Sequence, residues 1–165
     1  MSAASLIHHP VVQGTAFFVG INALAQIGGS HTKETYAQLD TPRWAPPAWL
    51  FGPAWTINDL ARIYGDLDVL HRPPSRTRTT VLALEAVNWL AYAAYNPLLF
   101  GKRATKISFG VAVLQLAATA GAAIAGRKLG KRFLLGLAPT AAWLVFATTL
   151  AGYVARHNRD EVLGR

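Results

Sequence analysis

Apolar residues in this chain fall in five long blocks, and the short segments between them carry most of the charges. The blocks cover residues 11–29, 48–70, 81–100, 107–126 and 133–155. Each block is about 18–25 residues long, the length that an α-helix needs to cross a hydrocarbon core of about 30 Å. The pattern therefore predicts an all-α membrane protein, a bundle of five transmembrane helices.

The segments between the blocks are short, so consecutive helices are expected to be antiparallel neighbours. The 165 residues leave no room for a separate soluble domain, and we predict one domain over residues 1–165. The chain start lacks the Lys and Arg flank of a secretory signal peptide, and the first block contains Gln13, Asn22 and Gln26. We therefore interpret the first block as a helix and not as a cleaved leader.

Composition supports the membrane class and excludes several kinds of site. Hydrophobic residues make up 52% of the chain and charged residues 15%, whereas about 25% of a typical soluble domain is charged. The chain has no cysteine, which excludes disulfides, thiolate catalysis and thiolate metal ligands. The five histidines lie outside the blocks or at their ends without helical spacing. No catalytic residue and no metal site is predicted.

The net charge of +8 raises the question of a nucleic-acid partner. The Lys and Arg residues, however, are spread through every connecting segment and the tail, a distribution that favours lipid headgroups over nucleic acid. Counted by side of the predicted bundle, seven lie on one side and eight on the other. The positive-inside rule therefore does not decide the orientation.

The segment 41–55, just before and within the second block, contains four prolines and three tryptophans. Proline fixes its own φ and disfavours helix in the residue before it, so Pro42, Pro46 and Pro47 predict an extended segment. Tryptophan suits a membrane interface or the rim of an aromatic pocket, because its N–H is polar and the rest of its ring system is apolar. Both interpretations stay open at this point.

Ionisable groups at membrane depth are costly, so each is treated as a functional hypothesis. In the second span three of them share a helix face by their spacing, and the third span carries a similar stripe. We call this set the polar seam, and its members are Asp59, Arg62, Asp66, Glu85, Asn88, Tyr92 and Tyr95.

In the simplest account of the polar seam, Arg62 pairs with Asp59 and also with Glu85. One interpretation is that the seam only locks two helices together. Another is that Arg62 and the tyrosines face a cavity and meet an anionic group, such as a carboxylate on an otherwise apolar ligand. A proton relay is a third.

Aromatic residues in the spans suit a large, flat, hydrophobic ligand, although core packing would use the same residue types. Trp55 lies one turn before Asp59 and shares its face, and further rings occur in the third and fifth spans at Trp89, Tyr92, Phe100, Trp143 and Phe146. The fourth span is rich in alanine and glycine, which let membrane helices approach closely. It is either an internal packing helix or a dimer face.

Three motifs in the expected order resemble the TspO family of tryptophan-rich sensory and translocator proteins. The first is Trp44-x-Pro46-Pro47-x-Trp49-Leu50-Phe51-Gly52-Pro53-x-Trp55. The second is Asn96-Pro97-Leu98-Leu99-Phe100-Gly101, at the end of the third span. The third is Pro139-x-x-x-Trp143-x-x-Phe146-Ala147-x-x-Leu150. The resemblance covers about residues 10–158.

The resemblance implies a five-helix bundle, commonly a homodimer, with a pocket beneath the first loop for a tetrapyrrole such as a porphyrin or haem. By motif position it assigns the lid to Trp44, Pro46 and Trp49. The pocket lining that it implies consists of Trp55, Phe100, Trp143, Phe146, Ala147 and Leu150. It also places the first loop on the side of the C-terminus, which is usually cytoplasmic. No obligatory cofactor is predicted.

The chain departs from the family pattern within the predicted site. Asp59 stands where tyrosine is usual, Tyr92 where an asparagine of the third helix is usual, and Ala151 where asparagine follows leucine. Some members promote light-dependent porphyrin breakdown that has been linked to loop tryptophans, and Thr35 occupies one such position. Thr35 therefore argues against that activity here.

The leading interpretation is an integral membrane sensor or carrier that binds a porphyrin, with Asp59, Arg62 and Tyr92 as its polar contacts. Its partners would be the porphyrin-type ligand, membrane lipid and a second copy of the chain, in a bacterial membrane with a cytoplasmic C-terminus. Two alternatives remain open. One is a structural or regulatory subunit of another membrane complex, and the other is a light-dependent porphyrin-degrading enzyme.

Overall fold

The computed structural model describes residues 9–27 and 32–165, and this part of the chain contains helices and no strand. A 3₁₀ turn, Ala48–Leu50, leads into the third helix, and a π-helical turn, Pro97–Gly101, follows the fourth. The helices are α1 (Pro10–Gln26), α2 (Thr32–Gln38), α3 (Phe51–Leu70), α4 (Arg76–Asn96), α5 (Thr105–Gly126) and α6 (Lys131–His157). The predicted all-α class is confirmed.

Five of these helices coincide with the five apolar blocks, and α2 is an additional short helix that the pattern did not predict. Two of the five, α5 and α6, are long and apolar enough to cross a membrane by length and composition. The described part of α1 has 17 residues, and α3 and α4 carry charged side chains within their length. Positions 28–29, at the end of the first predicted block, lie outside the described residues.

The start of α4 differs from the prediction for a local reason. The helix begins at Arg76 instead of residue 81, because the side chain of Ser75 caps it and accepts a hydrogen bond from the amide N of Arg78 at 3.1 Å. Serine is a favoured N-cap residue, since its oxygen satisfies an amide that has no partner inside the helix. The first turn of α4 therefore extends into the polar connection.

The long helices form a closed ring. Helix α3 packs on α6, α6 on α5, and α5 on α4, while α1 contacts both α4 and α3. Helix α5 lies between two neighbours and buries Ala112, Ala118 and Ala122, which supports the internal packing role for its small residues. A dimer face on this helix stays a prediction.

Two facing glycines set the separation of α3 and α6. A Cβ atom on Gly136 would lie 2.6 Å from the carbonyl oxygen of Ala61 and 3.0 Å from the Cα of Gly65. A Cβ on Gly65 would lie 3.2 Å from the carbonyl oxygen of Phe133. The two backbones are therefore in direct contact, as small residues permit in membrane helix pairs.

The start of α5 is capped by a residue from beyond the end of α6. The residue at the N-cap position, Ala104, has no side-chain oxygen that could accept from the first amides of the helix. The buried carboxylate of Asp160 accepts from them instead. Asp160 Oδ2 accepts from the amides of Lys106 at 2.7 Å and Ile107 at 3.4 Å. Its Oδ1 accepts from the amides of Val162 and Leu163. One carboxylate thus joins the tail to the N-terminal end of α5, where negative charge is favourable.

The cap formed by Asp160 is expected to make the stability of the folded protein decrease as the pH falls. Burial raises the pKa of Asp160, but the hydrogen bonds from four backbone amides outweigh this effect and hold the pKa below its ordinary value of 3.8. A lowered folded-state pKa adds stability that is complete above the unfolded-state value and is lost as the pH falls through the folded-state value. We therefore expect Asp160→Ala to lower the unfolding midpoint at pH 7 and to differ less from wild type below pH 4.

The control for this prediction is Glu161→Gln, at the next position. Glu161 is exposed and its carboxylate lies 3.5 Å from the guanidinium of Arg103, so its neutralisation should change the midpoint little. Thermal unfolding of both variants across pH 3–7 is the measurement. Equal midpoints for Asp160→Ala and wild type at pH 7 would contradict the assignment.

Candidate functional site

The loop between α2 and α3 forms a lid over one end of the bundle. Its proline segment is extended as predicted, with one turn closed by a hydrogen bond from the amide of Ala45 to the carbonyl of Pro42 at 2.9 Å. The hydroxyl of Tyr36, on α2, donates to the carbonyl of Pro46 at 2.9 Å, and its ring meets Phe51 edge to face at 5.4 Å. Helix α2 thus holds the lid in place.

The lid is also attached to the end of α6. The amide of Asp40 donates to Asn158 Oδ1 at 2.8 Å, and Asn158 Nδ2 donates back to the Asp40 carbonyl at 2.9 Å. The first loop and the C-terminal end of α6 therefore lie at the same end of the bundle, as the resemblance implies.

Beneath the lid, aromatic rings contact one another in a continuous series that crosses the bundle from the lid to α1. Successive ring centroids are 5.0–6.1 Å apart and most pairs meet edge to face, a geometry that aromatic side chains prefer. We call this series the aromatic row, and in order it is Trp44, Phe146, Trp143, Trp55, Tyr92, Trp89 and Phe17. The row brings together tryptophans of the first and third motifs, Trp44, Trp55 and Trp143, with Trp89 of α4.

Trp143, in the middle of the row, carries an unused hydrogen-bond donor. Its Nε1 is shielded from solvent and has no acceptor within the described part of the chain. A buried N–H without an acceptor is unfavourable, because it has lost its hydrogen bonds to water. An acceptor brought to this position would satisfy the free N–H.

The remaining predicted lining residues border the row on its lid side. Phe100 lies in the π-helical turn and packs with Leu150 around buried Leu99 and Val154, and Ala147 is half-buried on α6. In contrast, the side chain of Trp49 is 68% exposed and makes no ring contact among the described residues. The structure places Trp49 outside the aromatic row, and Trp44 is half-exposed at its outer end.

The polar seam contains one of the two ion pairs predicted for Arg62, the pair with Glu85. Arg62 Nε donates to Glu85 Oε2 at 2.5 Å, and these side chains are only 2% and 3% exposed. Asp59 makes no ion pair with Arg62 within the described residues. Instead, Asn22 Nδ2 donates to Asp59 Oδ2 at 3.2 Å and Tyr92 donates to Asn22 Oδ1 at 2.8 Å. The predicted Arg62–Asp59 pairing is wrong because α1 supplies Asn22 to Asp59, while α4 presents Glu85 to Arg62.

The predicted stripe on α4 also divides between two neighbours. Asn88 is completely buried and bonds with α5, since its Nδ2 donates to the Gln115 carbonyl and Gln115 Nε2 donates back to Asn88 Oδ1 at 3.0 Å. Asn88 Nδ2 also donates to Thr119 Oγ1. Tyr95 packs in the cluster beneath the lid. Asn88 therefore joins α4 to α5 and does not belong to the surface that faces α3.

The sequence did not indicate a role for Asn22 or Tyr36. In the structure Asn22 binds Asp59, and Tyr36 binds the lid. The predicted seam named Asp66 without its partner, which is Trp89: the indole Nε1 donates to Asp66 Oδ2 at 2.8 Å. For Asn22 a signal was present, because a buried amide in an apolar span needs a polar partner. The identity of that partner depends on which helices are neighbours, which one span does not reveal.

Three of the cavities on the described part of the bundle are large enough for a small molecule. One of about 810 Å³ lies between the ends of α1 and α3, and one of about 430 Å³ lies in the outer groove of α5 and α6. The third, about 440 Å³, lies between α1, α3 and α4. Trp55 and Trp143 line none of these three, and their rings contact each other, so the centre of the aromatic row is packed on itself. The described residues contain no group of three His, Cys, Asp or Glu side chains that could hold a metal ion.

Comparison with known proteins gives concordant matches. The model of the TspO/MBR family matches residues 12–156. A translocator protein of Homo sapiens is 34% identical over 140 residues, which covers 79% of this chain and 78% of the human protein. Translocator proteins of Ovis aries and Bos taurus are 30% identical over 136 residues and 29% identical over 165 residues. The sheep match covers 79% of this chain and 78% of that protein, and the cattle match 89% and 93%.

Proposed function

The chain belongs to the TspO/MBR family, and on this premise we propose that it is a tetrapyrrole-binding sensor or carrier with five membrane-spanning helices. The ligand is a porphyrin or haem, held at the aromatic row beneath the lid. Membership of the family and the two apolar helices α5 and α6 support a membrane protein.

The observation that carries this proposal is the aromatic row together with the free donor on Trp143. A tetrapyrrole is flat, apolar and rich in ring area, so it gains affinity by burial against aromatic side chains. Binding would separate the edge-to-face contact between Trp55 and Trp143, whose centroids are 6.1 Å apart. Phe146, Ala147, Leu150 and Phe100 would complete the lining, and Trp44, Pro46 and Trp49 the lid.

The carboxylates of such a ligand would meet the row near Trp89, at the end away from the lid. The Arg62 guanidinium lies 5.4 Å from the ring of Trp89, and its Nη2 has no hydrogen-bond partner in the described structure. A guanidinium binds a carboxylate through two parallel N–H donors when both are available. Tyr92 and Asp59, linked through Asn22, would orient the polar edge of the ligand.

The same proposal includes the setting of the protein. We place it in a bacterial membrane as a homodimer surrounded by lipid, with the lid and the C-terminal end of α6 on the cytoplasmic side. The hydrogen bonds between Asp40 and Asn158 require these two segments to be on one side. Cysteine substitution at Lys102 and Lys128, at opposite ends of α5, followed by labelling of intact cells tests the orientation.

Substitution of Trp143 tests the binding site. In detergent, protoporphyrin IX should quench the tryptophan fluorescence of the wild type saturably, and Trp143→Ala should weaken this binding by about tenfold or more. Trp143→Phe keeps an aromatic ring and removes the N–H, so it should bind with intermediate affinity. The control is Val145→Ala, because Val145 lies two positions along α6 and is exposed.

The outcomes of this titration separate the functions. Wild-type affinity in Trp143→Ala would contradict the proposed site. Loss of the porphyrin absorption band under light, but not in the dark, would show an enzyme that degrades the ligand. The absence of quenching at micromolar porphyrin would favour a structural or regulatory subunit, since the row is packed on itself in this structure.

A further inference from the structure

A groove runs along α1 and α3 at the end of the bundle away from the lid. It is the cavity of about 810 Å³ described above. Its walls are one stripe of each helix at helical spacing, formed by Pro10, Val11, Gly14, Thr15 and Phe18 on α1 and by Leu60, Ile63, Tyr64 and Leu67 on α3. The side chains of Val11, Leu60 and Tyr64 are more than half exposed. The groove is therefore open to the surroundings of the bundle.

The floor of the groove is apolar because α1 has no side chain at its closest approach to α3. A Cβ atom on Gly14 would lie 3.1 Å from Leu67 Cδ1 and 3.3 Å from Ile63 Cγ2. Gly14 and Ile63 both line the groove and are both buried. The two helices thus meet along a floor of α1 backbone and aliphatic side chains of α3.

The length of the groove matches one leaflet of a membrane. Between Leu60 and His71, both of which line it, a rise of about 1.5 Å per residue gives about 16 Å. A hydrocarbon core is about 30 Å thick, so one leaflet accounts for about 15 Å of it. Leu60 lies near the middle of α3 and His71 directly follows its last residue. The groove therefore extends from the middle of the bundle to one end.

Two guanidinium groups share one carboxylate where the groove reaches the end of α3. Arg72 Nε and Nη2 lie 3.1 Å and 2.6 Å from Asp68 Oδ2, and Arg132 Nη1 lies 3.5 Å from Asp68 Oδ1. All three residues line the groove. No other carboxylate in the described part of the chain forms an ion pair with either arginine. Two positive charges with one negative charge leave one positive charge in excess.

Arg132 has N–H groups that are available to a ligand. Its guanidinium lies 5.5 Å from the ring of Tyr64, so it is placed over one wall of the groove. Its 3.5 Å contact with Asp68 is longer than a charge-assisted hydrogen bond, and its side chain is 61% exposed. Arg72 and Arg132 also belong to the seven Lys and Arg residues on this side of the bundle. The open end of the groove is therefore basic.

We infer that this groove binds an anionic phospholipid. The phosphate group lies at Arg72 and Arg132, because a guanidinium binds phosphate oxygens through paired N–H donors. An acyl chain lies along the stripes of α1 and α3 and ends near Leu60. This lipid site depends on the membrane setting proposed above and not on the tetrapyrrole.

Three other occupants fit less well. A lipid without net charge would cover the apolar walls but would not balance the excess positive charge. A free phosphate ion would balance the charge and leave the walls uncovered. A second copy of the chain in the same membrane orientation would bring a second basic end to the same place. An anionic phospholipid matches the charge, the apolar walls and the length together.

Two phospholipids that differ in the headgroup alone test the inference. The full chain is run on a size-exclusion column equilibrated with a non-ionic detergent that contains equal amounts of dioleoylphosphatidylglycerol and dioleoylphosphatidylcholine. The protein peak should contain an excess of phosphatidylglycerol that saturates at about one molecule per chain as the lipid concentration rises. Millimolar inorganic phosphate at constant ionic strength should not displace it. Equal amounts of the two lipids, or displacement by phosphate, would overturn the inference.

Substitution of Arg132 tests the headgroup contact. Arg132→Gln should raise the concentration of phosphatidylglycerol at half-saturation about fivefold, the loss expected for one cationic side chain at an anionic lipid. The matched control is Arg127→Gln, because Arg127 is exposed at the same end of the bundle and does not line the groove. An equal effect of the two substitutions would show that net charge alone attracts the lipid, and the inference would be wrong.

Substitution of Thr15 tests the acyl-chain contact and leaves both arginines in place. Thr15 is exposed and lines the groove, so the indole of Thr15→Trp should fill the groove and weaken phosphatidylglycerol binding about fivefold or more. The control is Ala16→Trp, at the next position, which is exposed and does not line the groove. Unchanged lipid binding in Thr15→Trp would overturn the inference.

The same column runs separate this inference from the other proposals. If Thr15→Trp converts a dimer into a monomer, and Ala16→Trp does not, the groove is covered by a second copy of the chain and the lipid assignment is wrong. The affinity for protoporphyrin IX, measured on the same samples, should be that of the wild type in Arg132→Gln. Loss of lipid selectivity and loss of porphyrin binding are therefore distinguishable results.

Discussion

Replacing Glu85 with leucine is expected to destabilise the folded protein by about 3–5 kcal/mol, because it leaves the buried guanidinium of Arg62 without its partner. Both side chains are almost completely buried, and the ion pair between them joins α3 to α4. The carboxylates of Asp59 and Asp66 form no ion pair with Arg62 among the described residues, since Asp59 accepts from Asn22 and Asp66 from Trp89. The large effect therefore reflects an unpaired buried charge and not the net strength of the pair.

The double variant Arg62→Leu/Glu85→Leu distinguishes these two contributions. Removing both charges should recover most of the lost stability, as replacement of a whole buried pair by apolar side chains is often neutral or better. The measurement is the free energy of unfolding in mixed micelles by titration with a denaturing detergent. A double variant as unstable as Glu85→Leu would contradict this account. As a control, Glu161→Ala breaks the exposed pair with Arg103 and should change stability by about 1 kcal/mol or less.

Gly136→Ala is expected to cost about 3 kcal/mol or more, since the added methyl group has no space. Its nearest atoms, the Ala61 carbonyl oxygen at 2.6 Å and the Cα of Gly65 at 3.0 Å, belong to the backbone of α3 and cannot rotate away. The two helices must separate, and the packing around them is lost with the contact.

The control for Gly136 is Gly110→Ala, in the second turn of the neighbouring helix α5. A Cβ at Gly110 meets nothing within 4 Å, so this change should add about 0.4–1 kcal/mol of stability by restricting the unfolded chain. Thermal unfolding of the two variants beside wild type is sufficient, and the expected shifts have opposite signs. A neutral Gly136→Ala would show that α3 and α6 are not in backbone contact.

The positions of the long helices could be predicted from the sequence because each depends on a local pattern. A block of apolar residues bounded by Gly, Pro and charged residues is enough to place α3, α5 and α6 within a few residues. The extended segment at Pro46 and Pro47 is equally local, since proline restricts its own backbone and that of its neighbour. The family motifs then located most of the aromatic row.

The partners inside the bundle could not be predicted in the same way. The pairing of Arg62 with Glu85 was predicted, but the bond of Asp59 to Asn22 in its place depends on which helix lies beside α3 and how each is rotated. One span cannot show this, and a spacing of three residues between Asp59 and Arg62 only permits their contact. Asn88 was assigned to the α3 side for the same reason, whereas its bond to Gln115 shows that its side chain points to α5.

The cap on α5 implies an order of maturation for this protein. Asp160 is synthesised 54 residues after Lys106, whose amide it binds, so at about 5–20 residues per second the ribosome reaches it roughly 3–10 s later. During that interval the first turn of α5 has exposed amides and the lid lacks Asn158, which holds Asp40 in the folded protein. The lid end of the bundle is therefore assembled last, and a nascent chain released before residue 158 would present an open end to the quality-control proteases of the cell.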